Sequence, residues 1–347
     1  MTKRFILISI LYLVAITFIQ AQDPDFGKYR LIDRHVRKTP DKVSDNLIDL
    51  HQYLISGANS KEEQLRAFYM WIITNVHYKD EVELLYDPNV LFYIGSNNCV
   101  SPVCVLKKRK AVCEGFSKLF QFFCIQSGFE CYSIGGYISK TGNFQDRATH
   151  SWNVVKINNE WRFFDLSWSN AVLHHSGIKS RTNKFYMVHP EKFILTHLPL
   201  TQMWQFLKTP ITINHFNRGE ETIQKYINES SINYNYSDTL SFFNSLPYKK
   251  RRLKTAKDIV ITNPGNTFNQ AIEYYRYSRI AINYDGEITS LHYYDLLEAK
   301  EIIKKAINLF KQSTGISSEI MMLNSMDSFD AIQRRIESAG DDIIHLE

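Results

Sequence analysis

The stretch Thr149–Ile157, Asn158-Asn159, Glu160–Ser167 constrains the fold more than any other part of the chain. Two strand-like runs flank a two-residue loop, the pattern of a tight β-hairpin. With that loop, opposite residues have numbers that sum to 317 (157 + 160). His150 then faces Ser167 and Trp152 faces Asp165, so His150, Trp152 and Val154 share a sheet face with Phe163, Asp165 and Ser167. On that face His150 and Asp165 are diagonal neighbours, roughly 7–8 Å apart at the backbone. A carboxylate there holds an imidazole in one tautomer and orientation. A bulge would shift the register and undo this geometry.

Upstream, apolar Val112, Phe116, Leu119, Phe120 and Phe123 recur at helical spacing and predict a helix over 112–126, stopped by Gly128. Cys113 falls in its first turn, where unpaired backbone N–H groups and the helix dipole favour a thiolate. Gly115 leaves room for another backbone or a substrate. Alone, Cys113 reads as an inert, small buried residue rather than a catalytic one. A nucleophile at a helix start, followed by His and Asp side by side on a hairpin, is a rarer combination.

The rest of the chain places these pieces. From Asp41 to His77 the pattern is helical, with Ser60 and Glu63 spaced as a capping box before a second helix through Leu65, Phe68, Tyr69, Ile72 and Val76. Residues 79–105 lack periodicity and read as a long connection. A strand is expected over Cys131–Ile138. Beyond about Phe216, Tyr, Asn and Lys become common, and helices are expected at 267–282, 291–311 and 321–338.

All five cysteines (Cys99, Cys104, Cys113, Cys124, Cys131) lie within 33 residues (131 − 99 + 1), and their number is odd. Two local pairs, Cys99–Cys104 and Cys124–Cys131, would leave Cys113 free. No CxxC or Cys/His pair has zinc-ligand spacing. Lys3 and Arg4 before the apolar run Phe5–Ile19, then Ile19-Gln20-Ala21, read as a cleavable signal over residues 1–21. The run is about 15 residues, short of the roughly 20 a spanning helix needs. A secreted or periplasmic location follows as an expectation. Losing Lys3 and Arg4 takes the formal charge from +5 to +3 (5 − 2), which implies no nucleic-acid partner. The runs Lys107–Lys110 and Lys249–Arg252 read as solvated surface.

At this point three segments carry a family resemblance. Ala111-Val112-Cys113-Glu114-Gly115-Phe116-Ser117 resembles the nucleophile motif of transglutaminase-like proteins. Thr149–Val155 resembles their histidine strand, and Trp161–Trp168 their aspartate strand. Glu63–Tyr78 is similar to the helix preceding the core. Pro190–His197 through Trp204-Gln205 resembles the kyphoscoliosis-peptidase and cytokinesis-protein branch. Where that branch has a Gly-containing segment after the aspartate, this chain has Ser169-Asn170-Ala171.

The resemblance implies an α+β papain-like core, its Cys-bearing helix packed on an antiparallel sheet. The expected organisation is a signal (1–21), a helical lead-in (22–59), the transglutaminase-like core (60–215) and a mostly helical C-terminal domain (216–347). It implies cysteine acyl transfer on protein or peptide amides, with Cys113 as nucleophile, His150 as base and Asp165 orienting the base. No cofactor or metal is implied. The competing readings are a catalytically silent module that binds protein, with the C-terminal domain as docking surface, and an envelope protein whose cysteines only staple the fold. His174 and His175 are adjacent, so they point apart and make a poor chelate, while His189 and His197 read as structural.

Overall fold

In the computed structural model, which describes residues 27–79, 99–139, 147–176, 183–283 and 290–344, short helices lead into the sheet. They are α1 (Arg30–Val36), α2 (Leu47–Ser56) and α3 (Lys61–Asn75), with one 3-10 turn over Asp41–Asp45. The expected signal and residues 80–98 of the expected connection lie outside the described residues. Ser60 caps α3 as expected, its hydroxyl accepting from the Glu63 N–H (3.2 Å). The Glu63 carboxylate reaches back one residue further than a capping box predicts, to the Asn59 N–H (2.6 Å).

Next come β1 (His77–Tyr78), α4 (Pro102–Lys108) and β2 (Lys110–Ala111). Helix α4 corrects the expected connection, which ran through residue 105. Ser101 accepts from the Cys104 N–H and Pro102 occupies the first helical turn, where its missing N–H costs nothing. The Ser-Pro pair was a helix start. Strands β1 and β2 pair in parallel, with Tyr78 opposite Ala111.

The centre of the chain follows the expected order: α5 (Cys113–Gln126), β3 (Cys131–Ile138), β4 (His150–Ile157) and β5 (Glu160–Phe164). Gly128 takes the positive φ (76°) that ends the α5 segment. The hairpin register is as read: Ile157 pairs with Glu160 and Asn153 with Phe164. Asn158 and Asn159 both take left-handed φ (50° and 64°), as a two-residue turn of this type requires. One expectation fails. The second strand was expected to run to Ser167, but it ends at Phe164 and α6 (Leu166–Ser176) begins. Asp165 explains the switch, since its carboxylate accepts from the Trp168 N–H (2.9 Å) and caps α6.

After α7 (Pro190–Phe193), β6 (His197–Pro199) completes a four-stranded sheet of order β5-β4-β3-β6, with the β4–β5 and β3–β6 pairs antiparallel. Among the described residues seven α-helices follow: α8 (Ile213–Asn217), α9 (Glu220–Glu229), α10 (Tyr236–Ser245), α11 (Tyr248–Thr262), α12 (Thr267–Ile282), α13 (Ser290–Gln312) and α14 (Ile316–Ile344). The fold class is α+β, with a helical C-terminal region. Among the described residues no helix is long and apolar enough to cross a membrane.

The described chain divides into two compact units, and β3 and β4 each pass from one to the other along their length. The first holds the described residues within 1–90, 96–133 and 152–188. Its core joins Phe68, Trp71 and Ile72 of α3 to Leu119, Phe120 and Phe123 of α5 and to Val155, Ile157 and Phe164 of the hairpin. The Cys-bearing helix therefore packs on the sheet through its apolar stripe.

The second unit holds the described residues within 134–151 and 189–347. One of its cores is helical, built on Phe268, Ile272, Leu296, Ile303, Phe310 and Met321. Polar groups bind those helices to strand segments of the same unit. The Tyr137 hydroxyl accepts from the side-chain amides of Asn263 and Asn266, and Asn269 Oδ1 accepts from the Ala148 N–H (2.6 Å). That last bond fixes the backbone two residues before His150.

Within the first unit His51 lies stacked near Phe68 and Phe123, with Nε2 2.7 Å from the Ser127 hydroxyl. Burial lowers its pKa from the ordinary 6.5. A depressed folded-state value means the folded chain binds fewer protons than the unfolded one. The stability is complete above pH 6.5 and is lost as pH falls through the lower folded value. Thermal melts should show a lower Tm at pH 5.5 than at pH 7.5, and His51→Gln should flatten that slope. Part of it will persist, because burial also lowers His215 and His292. An unchanged slope in the variant would remove His51 from this account.

Candidate active site

Cys113 is the first residue of α5, with extended Val112 before it as N-cap, so its sulfur sits at the positive end of a 14-residue helix. Cys113 is outside any disulfide, and the residue is only 2% exposed. Gly115 is required by a close approach: a Cβ there would lie 2.8 Å from the Cys99 carbonyl oxygen and 2.7 Å from the Ala111 Cβ. What approaches is backbone. Ser117, at the end of the nucleophile motif, donates to the Glu114 carbonyl (2.9 Å) and lies 2.7 Å from the Ser133 hydroxyl of β3. Asn153 of β4 is fully buried and donates to the Ser117 carbonyl (2.9 Å), tying the helix to the strand.

The cysteine expectation is met in part. Cys99 and Cys104 form a disulfide, whereas Cys124 and Cys131 remain thiols, so three cysteines lie outside disulfides rather than one. The latter two are nonetheless neighbours, in hydrogen-bond contact, and burial pushes the Cys124 thiol up.

His150 opens β4 and is buried; Asp165, between β5 and α6, is completely so. Ligand atoms of His150, Asp165 and His197 lie within 4.8 Å of one another, just beyond the last pair of the hairpin ladder, Asn153 with Phe164. Besides capping α6, Asp165 Oδ1 accepts from the Ser167 hydroxyl (2.8 Å). Ser167 thus belongs to the site as a partner of Asp165, not as a residue facing His150 across a strand.

His197 was read as structural, yet it enters this cluster. It lies on β6 opposite Ile138, its ring stacked on Phe193 (4.1 Å between centroids) and 5.9 Å from the His150 ring. Its Nδ1 is 2.7 Å from the Thr196 hydroxyl. No local motif marks it. Only the sheet order, with β6 beside β3, brings it near. Two imidazoles and a carboxylate are also donors of a kind that transition metals accept. The same Asp–His contact is what a base-orienting carboxylate makes.

A further residue was missed in the sequence. Tyr78 on β1 stacks near Phe116 of α5 (6.1 Å, 24° between planes), and its hydroxyl is in hydrogen-bond contact with the Cys113 backbone and thiol. Although the residue as a whole is 38% exposed, desolvation around its hydroxyl raises the phenol pKa, and the nearby Cys113 and Asp165 charges add to the shift. The segment Ser169-Asn170-Ala171, where the family resemblance departs, has a structural role. Ser169 joins the Tyr69 hydroxyl to the Asp165 carbonyl, and Asn170 donates to the carbonyls of Ile73 and Val76 at the end of α3.

A buried cysteine at a helix start thus packs against a sheet whose hairpin carries His150 and leads into Asp165. Residues 48–166 match the transglutaminase-like superfamily, and the chain carries a domain of that family. It is similar to the kyphoscoliosis peptidase of Mus musculus, 26% identical over 55% of this chain and 29% of that protein. It is likewise similar to the Lim and transglutaminase domain protein ltd-1 of Caenorhabditis elegans, 28% identical over 49% of this chain and 24% of that protein. The hillarin of Drosophila melanogaster is 24% identical over 53% of this chain and 24% of its own length. The chain thus spans under a third of the curated relatives it matches.

Asp165 should reveal its capping role independently of any chemistry. Asp165→Ala leaves the Trp168 N–H and Ser167 hydroxyl without their acceptor and should cost roughly 1–3 kcal/mol in chemical denaturation. Asp165→Asn keeps a side-chain oxygen and should cost markedly less. Equal losses in the two variants would contradict the cap.

Proposed function

We propose that this chain is a cysteine acyl-transfer enzyme acting on protein or peptide amides through a thioester, with Cys113, His150 and Asp165 as its triad. The observation that supports the reading is that ligand atoms of Asp165 and His150 lie within 4.8 Å of each other in a fold whose helix starts at Cys113. Cys113 attacks the amide carbonyl carbon as His150 takes the thiol proton. His150 then returns that proton to the departing amine. Asp165 holds the imidazole and offsets its positive charge. The thioester passes to water, giving a peptidase or deamidase, or to a second amine, giving a transglutaminase. That one relative is called a peptidase supports the first outcome. The expected export signal makes a secreted or periplasmic location part of the proposal, and the C-terminal helices are the candidate surface for a protein partner.

One observation favours a second reading. Cys113 is nearly inaccessible, as in a module that kept the fold for binding and lost the chemistry. Alkylation separates the two. Iodoacetamide at neutral pH should label Cys113 quickly and more slowly in His150→Ala; labelling no faster than an ordinary thiol, and insensitive to His150, favours the silent module.

The reaction itself is read with casein and a fluorescent primary amine. Cys113→Ala should abolish turnover, and His150→Ala should lower it by roughly 10²–10⁴-fold, the usual share of a positioned base. Amine incorporation identifies a transferase, and cleavage or ammonia release without it a hydrolase. Turnover should survive EDTA. A loss reversed by zinc would instead assign the His150–Asp165–His197 set to a metal.

A further inference from the structure

His150 is the first residue of β4, so the strand continues only on its C-terminal side. Towards β5 the pairing ends at Asn153 with Phe164, three residues on. The backbone just before His150, residues 147–149, is irregular and needs partners from outside the ladder. The C-terminal helices supply them, and all the groups involved lie within the second unit. Asn269 Oδ1 accepts from the Ala148 N–H (2.6 Å), a bond buried from solvent. Arg147 donates to the Thr314 carbonyl between α13 and α14, and to the Ser318 hydroxyl in the first turn of α14 (3.3 Å). Its guanidinium also lies 4.5 Å from the ring centroid of Phe268, the residue before Asn269. These helix ends are themselves joined: the Thr267 and Ser313 hydroxyls are 2.7 Å apart, and the Phe268 and Phe310 rings meet edge to face. Asn269 is the informative member. Asn266 already caps α12, its side-chain oxygen taking the Asn269 N–H (2.9 Å). An apolar straight chain at 269 would suit the helix better. Instead an asparagine only 3% exposed turns its oxygen out of the helix, to a backbone group 121 residues away.

We propose that this end of the helical bundle is a working part of the acyl-transfer site: it clamps residues 147–148 and so sets the place of the His150 imidazole. Asn269 is the positioning residue, and Arg147 anchors the same stretch. The inference rests on the acyl-transfer reading of the site. A base must meet the thiol proton at hydrogen-bond distance, and a misplacement of about 1 Å can lower turnover roughly 100-fold. Without the Asn269 oxygen the Ala148 N–H loses this buried acceptor, and the chain leading into His150 shifts to find another. The C-terminal helices thus govern the rate while giving no atom to the reaction. They are more than a surface on which a partner docks.

The test uses the full chain with casein and the fluorescent amine, in wild type, His150→Ala, Asn269→Leu and Asn269→Asp. Leucine keeps the size and lacks the acceptor. Aspartate keeps an oxygen, and the first turn of α12 suits a carboxylate. Iodoacetamide labelling, mapped to single cysteines, runs in parallel. Cys124 and Cys131, in the core of the first unit, then report unfolding. Asn269→Leu should lower kcat by on the order of 10–100-fold with KM within about twofold of wild type. Its Cys113 labelling should slow towards the His150→Ala rate while Cys124 and Cys131 stay protected. Asn269→Asp should recover most of both rates. Wild-type kcat in Asn269→Leu overturns the proposal. A loss that Asn269→Asp does not recover overturns it too, since the acceptor oxygen is then not what matters. Labelling of Cys124 and Cys131 in Asn269→Leu also overturns it, by making Asn269 a support of the fold alone. If wild type and His150→Ala turn over and label alike, the acyl-transfer reading itself fails, a result read without any change at Asn269.

Discussion

The turn at Asn158-Asn159 is the constraint on which the remaining geometry depends. Two consecutive residues at left-handed φ allow only one register between β4 and β5. A slip of one residue would turn Val155, Ile157 and Phe164 out of the core they share with α3 and α5. Burial of those side chains therefore enforces the register from one end and the turn from the other. His150 and Asp165 lie at the far end of the same hairpin. Their proximity follows from packing that has nothing to do with chemistry.

Asparagine also holds the surroundings. Asn153 ties β4 to the middle of α5, Asn170 takes the last carbonyls of α3, and Asn269 fixes the approach to His150. Each buried amide satisfies backbone groups that would otherwise be stranded where an element ends or two elements meet. The site is thus positioned by short polar side chains set in apolar cores. This is how a fold holds functional groups without leaving backbone donors unpaired.

Much of the fold was legible in the sequence because it rests on local rules. The Asn-Asn loop gave the register, the apolar stripe gave α5, and Gly128 its end. Misses came where one residue serves two local roles. Asp165 reads as the last residue of a strand face and also as a helix cap, and the cap prevails because α6 must begin there. Ser101-Pro102 looked like loop punctuation and is a helix start. His197 and Tyr78 were illegible for another reason. Their places depend on which strands lie side by side, and no periodicity within either segment carries that information.

The double duty of Asp165 bears on how related sequences should be judged. A descendant that lost its chemistry would still need a short oxygen-bearing side chain at this position to begin α6. Selection on folding alone would then preserve an aspartate, asparagine or serine there long after turnover had ceased. A retained polar residue at 165 is therefore poor testimony of catalysis. The position records an architectural debt rather than a living reaction, and the sulfur of Cys113 is the more candid witness.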